Sequence, residues 1–212
     1  MTKTLITAVL EALLPLHCAG CGTRTSSSNP LCSACSSQLQ PAPRTPVPSG
    51  IDWWVSAFAY EGALREVIAR MKYRHARAAE GWLGRAIADA CPADRTVDVV
   101  TWPPASTARR RDQGVDHGRR LAELVASHLQ RPCRPLLIRA PGRAQTGSSG
   151  LQRRQGPDLR ARDAVSGLRV LVVDDVATTG ATVGRAARAL RHAGAVSVAV
   201  ATAARTPVRK TG

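Results

Sequence analysis

Two adjacent carboxylates, Asp174 and Asp175, stand between an apolar run and a turn of small residues in the stretch VLVVDDVATTGATV, Val170 to Val183. Carboxylate oxygens accept hydrogen bonds from a diol and are hard ligands for a divalent cation. Val176, Ala177, Thr178, Thr179, Gly180, Ala181 and Thr182 follow directly. A helix starting here would aim free backbone N–H groups and the positive end of its dipole at one spot. Gly180 would let an anion approach closely, and the threonine hydroxyls add donors. Acids beside a phosphate cradle suit a ligand with a diol or metal at one end and a phosphate at the other. The stretch is neither G-x-G-x-x-G nor G-x-x-x-x-G-K-[ST], which argues against dinucleotide and P-loop sites.

A second constellation is Cys18-x-x-Cys21, ten intervening residues, then Cys32-x-x-Cys35. Paired hooks of this spacing supply the four thiolates of a tetrahedral zinc site. Because all four positions are then filled by protein, the expected ion is structural, about one zinc per chain. The rival, a redox CxxC, is disfavoured by two pairs so close together. His17 reads as a solvated neighbour, and Cys91 and Cys133 as isolated thiols.

The elements that must position these groups follow from periodicity. Val170 to Val173, β-branched at three of four positions, suits a strand buried on both faces, and ligands of open α/β sheets bind at the strands' carboxyl ends. A helix is expected from Val183 to His192, stopped by Gly194. Earlier in the chain the pattern predicts a strand at Trp53–Tyr60 and helices at Glu61–Tyr73 and Ala78–Ala90. A buried strand at Val97–Trp102 runs into Pro103-Pro104, a rigid turn where a second ligand loop would lie. A helix at Arg119–Gln130 and a strand at Leu136–Arg139 come next. Residues 141–160, basic and without apolar period, read as a mobile loop. Residues 2–16 read as an amphipathic helix. Glu11 inside the apolar run and the lone Lys3 argue against a secretion signal, and the run is too short to span a bilayer. A cytoplasmic protein is expected. QPAPRTPVPSG, residues 40–50, cannot continue a helix. The organisation expected is therefore a helix and four-cysteine module at 1–40, a linker at 41–50 and an α/β domain at 51–212.

The 212 residues carry a formal charge of +15, nearly all of the positive charge arginine. Such a balance favours phosphate-bearing partners, although heavy Arg and Ala usage also follows from a GC-rich genome. Three successive arginines, Arg109 to Arg111, are the densest cluster. They suit either a solvated face or bidentate contacts to a pyrophosphate.

The motif VLVVDDVATTGAT resembles the 5-phosphoribosyl-1-pyrophosphate (PRPP) loop of type I phosphoribosyltransferases. Together with the CxxC pairs, AYEG…LREVIARMKY around Lys72, VDVVTWPP, RRRDQGVDHG, and Arg143-Ala-Gln145 with Arg153, it is similar to the ComF branch of competence proteins over nearly the whole chain. That resemblance implies an α/β phosphoribosyltransferase-like parallel sheet with flanking helices, preceded by a small zinc-finger module of four cysteines. It implies transfer of a phosphoribosyl group from PRPP to an acceptor, with release of pyrophosphate. Asp174 and Asp175 would meet the ribose and Mg²⁺, Val176 to Thr182 the 5′-phosphate, and Pro103, Pro104 and Arg111 the pyrophosphate. The family's glycine–aromatic–asparagine–glutamine step is Gly114-Val115-Asp116-His117 here, and the asparagine expected three places after Arg153 is Gly156. The same resemblance supports a non-catalytic alternative, a PRPP- and single-stranded-DNA-binding accessory of DNA uptake that works with competence proteins. A third reading is an adaptor whose zinc module docks a partner.

Overall fold

The computed structural model describes residues 16–25, 30–74, 77–105, 115–139, 159–162 and 165–207. Their frame is a four-stranded, all-parallel sheet. In chain order its strands are β3 (Trp53–Ala59), β4 (Val99–Thr101), β7 (Arg169–Ala177) and β8 (Ser197–Arg205), arranged β3-β8-β7-β4. Two antiparallel ribbons stand apart from it: β1 (Leu16–His17) with β2 (Arg24–Thr25), and β5 (Leu137–Arg139) with β6 (Leu159–Ala161).

The central strands read as continuous apolar runs because both faces are covered. Side chains alternate across the sheet, so Leu171, Val173, Ala199 and Ala201 fall on one face and Val170, Val172, Val198 and Val200 on the other. The first face packs against α2 (Ala63–Arg74), α3 (Arg77–Ala90) and α4 (His117–His128) through Leu64, Ile68, Leu83, Ile87, Leu121 and Val125. The second is covered by α5 (Ala181–His192), through Val183, Ala186, Ala187 and Leu190, and by Leu137 and Leu159 of the second ribbon. Each fully buried Leu, Ile or Val contributes about 1.5–3 kcal/mol relative to exposure. Helices α3 and α4 approach closely at Gly84, where an added Cβ would lie 2.6 Å from that of Leu124.

The cysteine module shares the first of these cores. A one-turn helix α1 (Ser33–Ser36) presents Cys35, and Cys18, Leu31 and Cys35 are buried together with Leu64 and Met71. Arg70 of α2 donates through Nε to the Gly20 carbonyl at 3.1 Å. In the proline-rich stretch, Pro41 forms an isolated bridge with Phe58, and Ala59 N–H donates to the Gln40 carbonyl.

Several elements differ from the sequence expectation. Strand β7 does not stop at the acids but runs on to Ala177, because β8 pairs with it as far as Arg205. Strand β4 is shorter than Val97–Trp102. Helix α4 begins at His117 rather than Arg119, because Asp116 caps it, its carboxylate accepting from Arg119 N–H at 3.1 Å. Leu159 and Arg160, expected within a mobile loop, belong to β6. Strand β8 had no sequence signal. The expected helix at 2–16 lies, up to residue 15, outside the described residues.

Candidate functional site

Strand β7 delivers Asp174 and Asp175 to the sheet's carboxyl edge. Asp174 Oδ1 accepts from the Asp175 N–H at 2.9 Å and Asp175 Oδ1 from the Val176 N–H at 2.6 Å, so each carboxylate is oriented by the next residue's own backbone. The other oxygen of Asp175 meets Lys72 Nζ of α2 at 2.5 Å, with both side chains largely buried.

The chain then turns through Thr178 and Thr179 into α5. Gly180 is the N-cap, with φ 74° and ψ 3°, a left-handed conformation that costs an L side chain roughly 1–2 kcal/mol. An added Cβ would also stand 2.9 Å from the ring of Trp54, on β3. That ring backs the turn, with the Arg205 guanidinium 3.7 Å over it. Thr179 Oγ1 accepts from the Ala181 N–H at 3.3 Å, and no acidic residue occupies the first turn of α5. The leading N–H groups of this helix therefore face an environment suited to an anion.

A cavity of about 370 Å³ opens at this edge. Asp174, Asp175, Val176, Thr178 and Thr182 line one side of it. Pro103 and Pro104, Lys72, and Asp116, His117 and Gly118 line the rest. Arg139 of β5, also at the cavity wall, fixes the proline turn: its Nε donates to the Pro104 carbonyl at 2.8 Å. A smaller hollow of about 40 Å³ lies within the turn itself, lined by Asp174 and residues 176–183. The acids, the small-residue turn and the proline pair, picked out from separate parts of the sequence, thus meet around one space. Arg111, Arg143, Gln145 and Arg153 lie outside the described residues.

Among the residues not identified as site residues in the sequence are Lys72 and His117, which line the cavity, and Glu80, which does not line it but holds His117. Lys72 appeared only inside a longer motif. His117 appeared only as a departure from a family pattern, and its partner Glu80 not at all. His117 Nδ1 lies 3.0 Å from Glu80 Oε1, with both residues buried, and Arg120 Nε lies 3.6 Å from Glu80 Oε2. His117 Nε2 is buried without a hydrogen-bond partner. A group left in that state costs about 1–3 kcal/mol. The signal available was a histidine directly after a capping aspartate.

In the module, the sulfurs of Cys18, Cys21, Cys32 and Cys35 all lie within 4.8 Å of one another, and those of Cys21 and Cys32 are 3.8 Å apart. Zinc–sulfur bonds of about 2.3 Å set a tetrahedral edge near 3.8 Å, so the cluster fits a structural zinc. Burial raises the Cys18 thiol, but backbone N–H groups of Cys32, Cys21 and Gly20 outweigh it and bring it down to about 6. Burial, then the neighbouring sulfurs, push Cys35 up to about 12. His17 is exposed beside the cluster and not part of it.

Residues 116–211 match the phosphoribosyl transferase domain family, and residues 9–47 match the double zinc ribbon domain family. The chain carries a phosphoribosyltransferase-type domain. Solved structures similar to it include one of the allosteric regulatory enzyme of purine biosynthesis (30% identity, 58% of this chain and 25% of that one, TM-score 0.42). Another is glutamine PRPP amidotransferase from B. subtilis, complexed with ADP and GMP (31% identity, 57% and 25%, TM-score 0.40). A third is adenine phosphoribosyltransferase from Thermoanaerobacter pseudethanolicus (21% identity, 60% and 68%, TM-score 0.43). The chain spans about a quarter of the length of the first two. Comparison with curated protein sequences gives no significant match. The phosphoribosyltransferase-type domain thus follows a zinc ribbon, and no described helix is long and apolar enough to cross a membrane.

Proposed function

We propose that this chain binds PRPP with Mg²⁺ and transfers its phosphoribosyl group to an acceptor, releasing pyrophosphate, as a ComF-type protein of the cytoplasm. The observation that carries the reading is the convergence of Asp174-Asp175, the Gly180 turn and Pro103-Pro104 on one cavity. The 5′-phosphate sits on the N–H groups at the start of α5, between residues 177 and 182. Asp174 and Asp175 take the ribose hydroxyls, the pyrophosphate lies toward Pro103 and Pro104, and Arg111 is proposed as a further pyrophosphate contact.

Hard carboxylate oxygens at a cavity edge suit Mg²⁺, which takes one or two carboxylates and completes its shell with phosphate oxygens and water. Asp174 and Asp175 would hold it, and when bound it neutralises charge on the leaving pyrophosphate. The protein's own share is positioning. Lys72 keeps the Asp175 carboxylate turned to the cavity, Gly180 and Trp54 fix the turn, and Arg139 fixes the proline pair. Reactions of this type gain most from such pre-set geometry and electrostatics. Pyrophosphate release over a panel of nucleobases, run beside PRPP calorimetry, tests the reading. Absence of PRPP binding overturns it.

The charge of +15 supports a second reading, in which the protein binds PRPP and single-stranded DNA without turnover and serves DNA uptake. DNA affinity would then fall with salt at a log–log slope near −0.7 per phosphate neutralised. Changing Arg109, Arg110 and Arg111 together to Ala would reduce that slope. Tight binding with no pyrophosphate release from PRPP would favour this reading over the first.

A further inference from the structure

Lys72 of α2 makes one ion pair among the described residues, and it falls on a carboxylate proposed to meet the metal. Its Nζ lies 2.5 Å from Asp175 Oδ2. Both residues line the main cavity, and their side chains keep 18% and 12% exposure, so a ligand can reach the pair. The other oxygen of Asp175 accepts the Val176 N–H at 2.6 Å, so each oxygen already has a donor. A divalent cation arriving at Asp175 therefore meets an ammonium on the same carboxylate. Two cations so close repel strongly where water is partly excluded. The cavity lining holds three carboxylates, Asp116, Asp174 and Asp175, against two basic side chains, Lys72 and Arg139. Arg139 has its Nε on the Pro104 carbonyl. Without Lys72 the wall would be dominated by hard oxygen ligands, the set that suits a bare divalent ion. The lysine ammonium is a compact charge on a flexible four-carbon stem, so it can pass to a new anion, and a phosphate oxygen is a strong partner for it.

We propose that Lys72 is the specificity-determining residue that makes this cavity take a divalent cation together with a phosphorylated ligand and refuse it as the free ion. In the ligand-free protein Lys72 fills the cation position on Asp175. When a phosphate-bearing ligand enters with its metal, Lys72 leaves Asp175 to the metal and pairs with phosphate oxygens instead. Each cation then faces an anion both before and after the exchange. The inference rests on the reading that the cavity binds PRPP with Mg²⁺, and it names the group that keeps bare metal out.

The test uses the full-length, zinc-loaded protein, with Mn²⁺ alone as one probe and PRPP with Mg²⁺ as the other, both by calorimetry. Lys72→Met keeps the length of the stem and removes its charge. It is expected to bind free Mn²⁺ about tenfold more tightly than wild type and PRPP with Mg²⁺ about tenfold more weakly. A merely structural role would weaken both. Lys72→Arg, which keeps the charge, is expected to refuse free Mn²⁺ as wild type does. The gain in Mn²⁺ binding is expected to vanish when Lys72→Met is combined with Asp175→Asn. Unchanged or weaker Mn²⁺ binding in Lys72→Met overturns the proposal, and so does undiminished affinity for PRPP with Mg²⁺. Should Lys72→Met not fold, Lys72→Gln takes its place in both arms under the same criteria. Failure of wild type to bind PRPP with Mg²⁺ overturns the transferase reading and this proposal with it. Loss of the opposite signs while wild type binds PRPP overturns this proposal alone.

Discussion

At the amino ends of the strands, acids are tied down by arginines and backbone. Asp52, just before β3, accepts Arg191 Nη2 on both oxygens at 2.6 Å, and also Ser197 Oγ and Val198 N–H at 2.7 Å. Asp98, just before β4, accepts the Arg169 N–H, Nε and Nη2 within 3.0 Å. At the carboxyl ends, Asp174 and Asp175 are oriented by their own chain, a lysine reaches across from another helix, and His117 keeps an unpaired ring nitrogen. The same residue types, acids with cations, build a fastening at one edge and an open site at the other. What differs between Asp175 and the amino-edge acids is the kind of donor: Asp175 takes its neighbour's N–H and one lysine, whereas Asp52 and Asp98 each take an arginine together with backbone N–H. A bidentate arginine leaves no room for a ligand, whereas a single lysine on a flexible stem leaves an oxygen to exchange.

Removing the metal sharpens this contrast most. Chelation is expected to withdraw on the order of 10 kcal/mol of local folding free energy from the cysteine module. Hydrogen exchange should then show lost protection at Cys18 to Cys35 and in α2, while Arg169 and Val198 at the amino edge stay protected. Asp175→Asn is expected to weaken PRPP·Mg²⁺ binding by about 2–3 kcal/mol, roughly 30- to 100-fold, in calorimetry. Asp52→Ala acts in the opposite sense, lowering stability by about 2 kcal/mol in urea denaturation with the PRPP affinity of the folded protein unchanged. Equal effects of these two changes on binding would abolish the distinction between the edges. Gly180→Ala is expected to cost about 1–2 kcal/mol in stability and also to loosen phosphate binding.

The smallest effect is a pH dependence. Hydrogen bonds from Arg169 hold the Asp98 carboxyl down to about 2, below its ordinary value. A depressed carboxyl stabilises the fold above its unfolded value near 3.9 and loses that contribution as pH falls toward 2. Between pH 4 and 2 wild type should lose about 1 kcal/mol more than Asp98→Asn, after allowance for solvent screening. Thermal melts over that range would show it.

The legible parts of this molecule were those whose signal is local. Val170 to Val183 is readable because an apolar β-branched run, two acids and a glycine turn fall within one stretch. The cysteine pairs are readable because ligand spacing is set by tetrahedral geometry. Strand β8 was not, because SVAVATAAR is built largely of small residues and carries little hydrophobic contrast, although its interior is buried and pairs on both sides. Strand β6 was hidden in a basic stretch; it pairs with β5 and buries Leu159 in the second core. The ion pairs Lys72–Asp175 and Glu80–His117 join residues far apart in sequence, so only the fold brings them together.

Helix α2 grips the cysteine module at one point and the cavity at another: Arg70 on the Gly20 carbonyl and, two residues on, Lys72 on Asp175. A rigid rod touching two binding sites makes them thermodynamic neighbours. Whatever coupling free energy passes through it has the same value read from either end. If zinc raises the affinity for the cavity's ligand by some factor, the ligand must raise the affinity for zinc by that factor. Metal supply would then shift the ligand concentration at which the cavity is half filled.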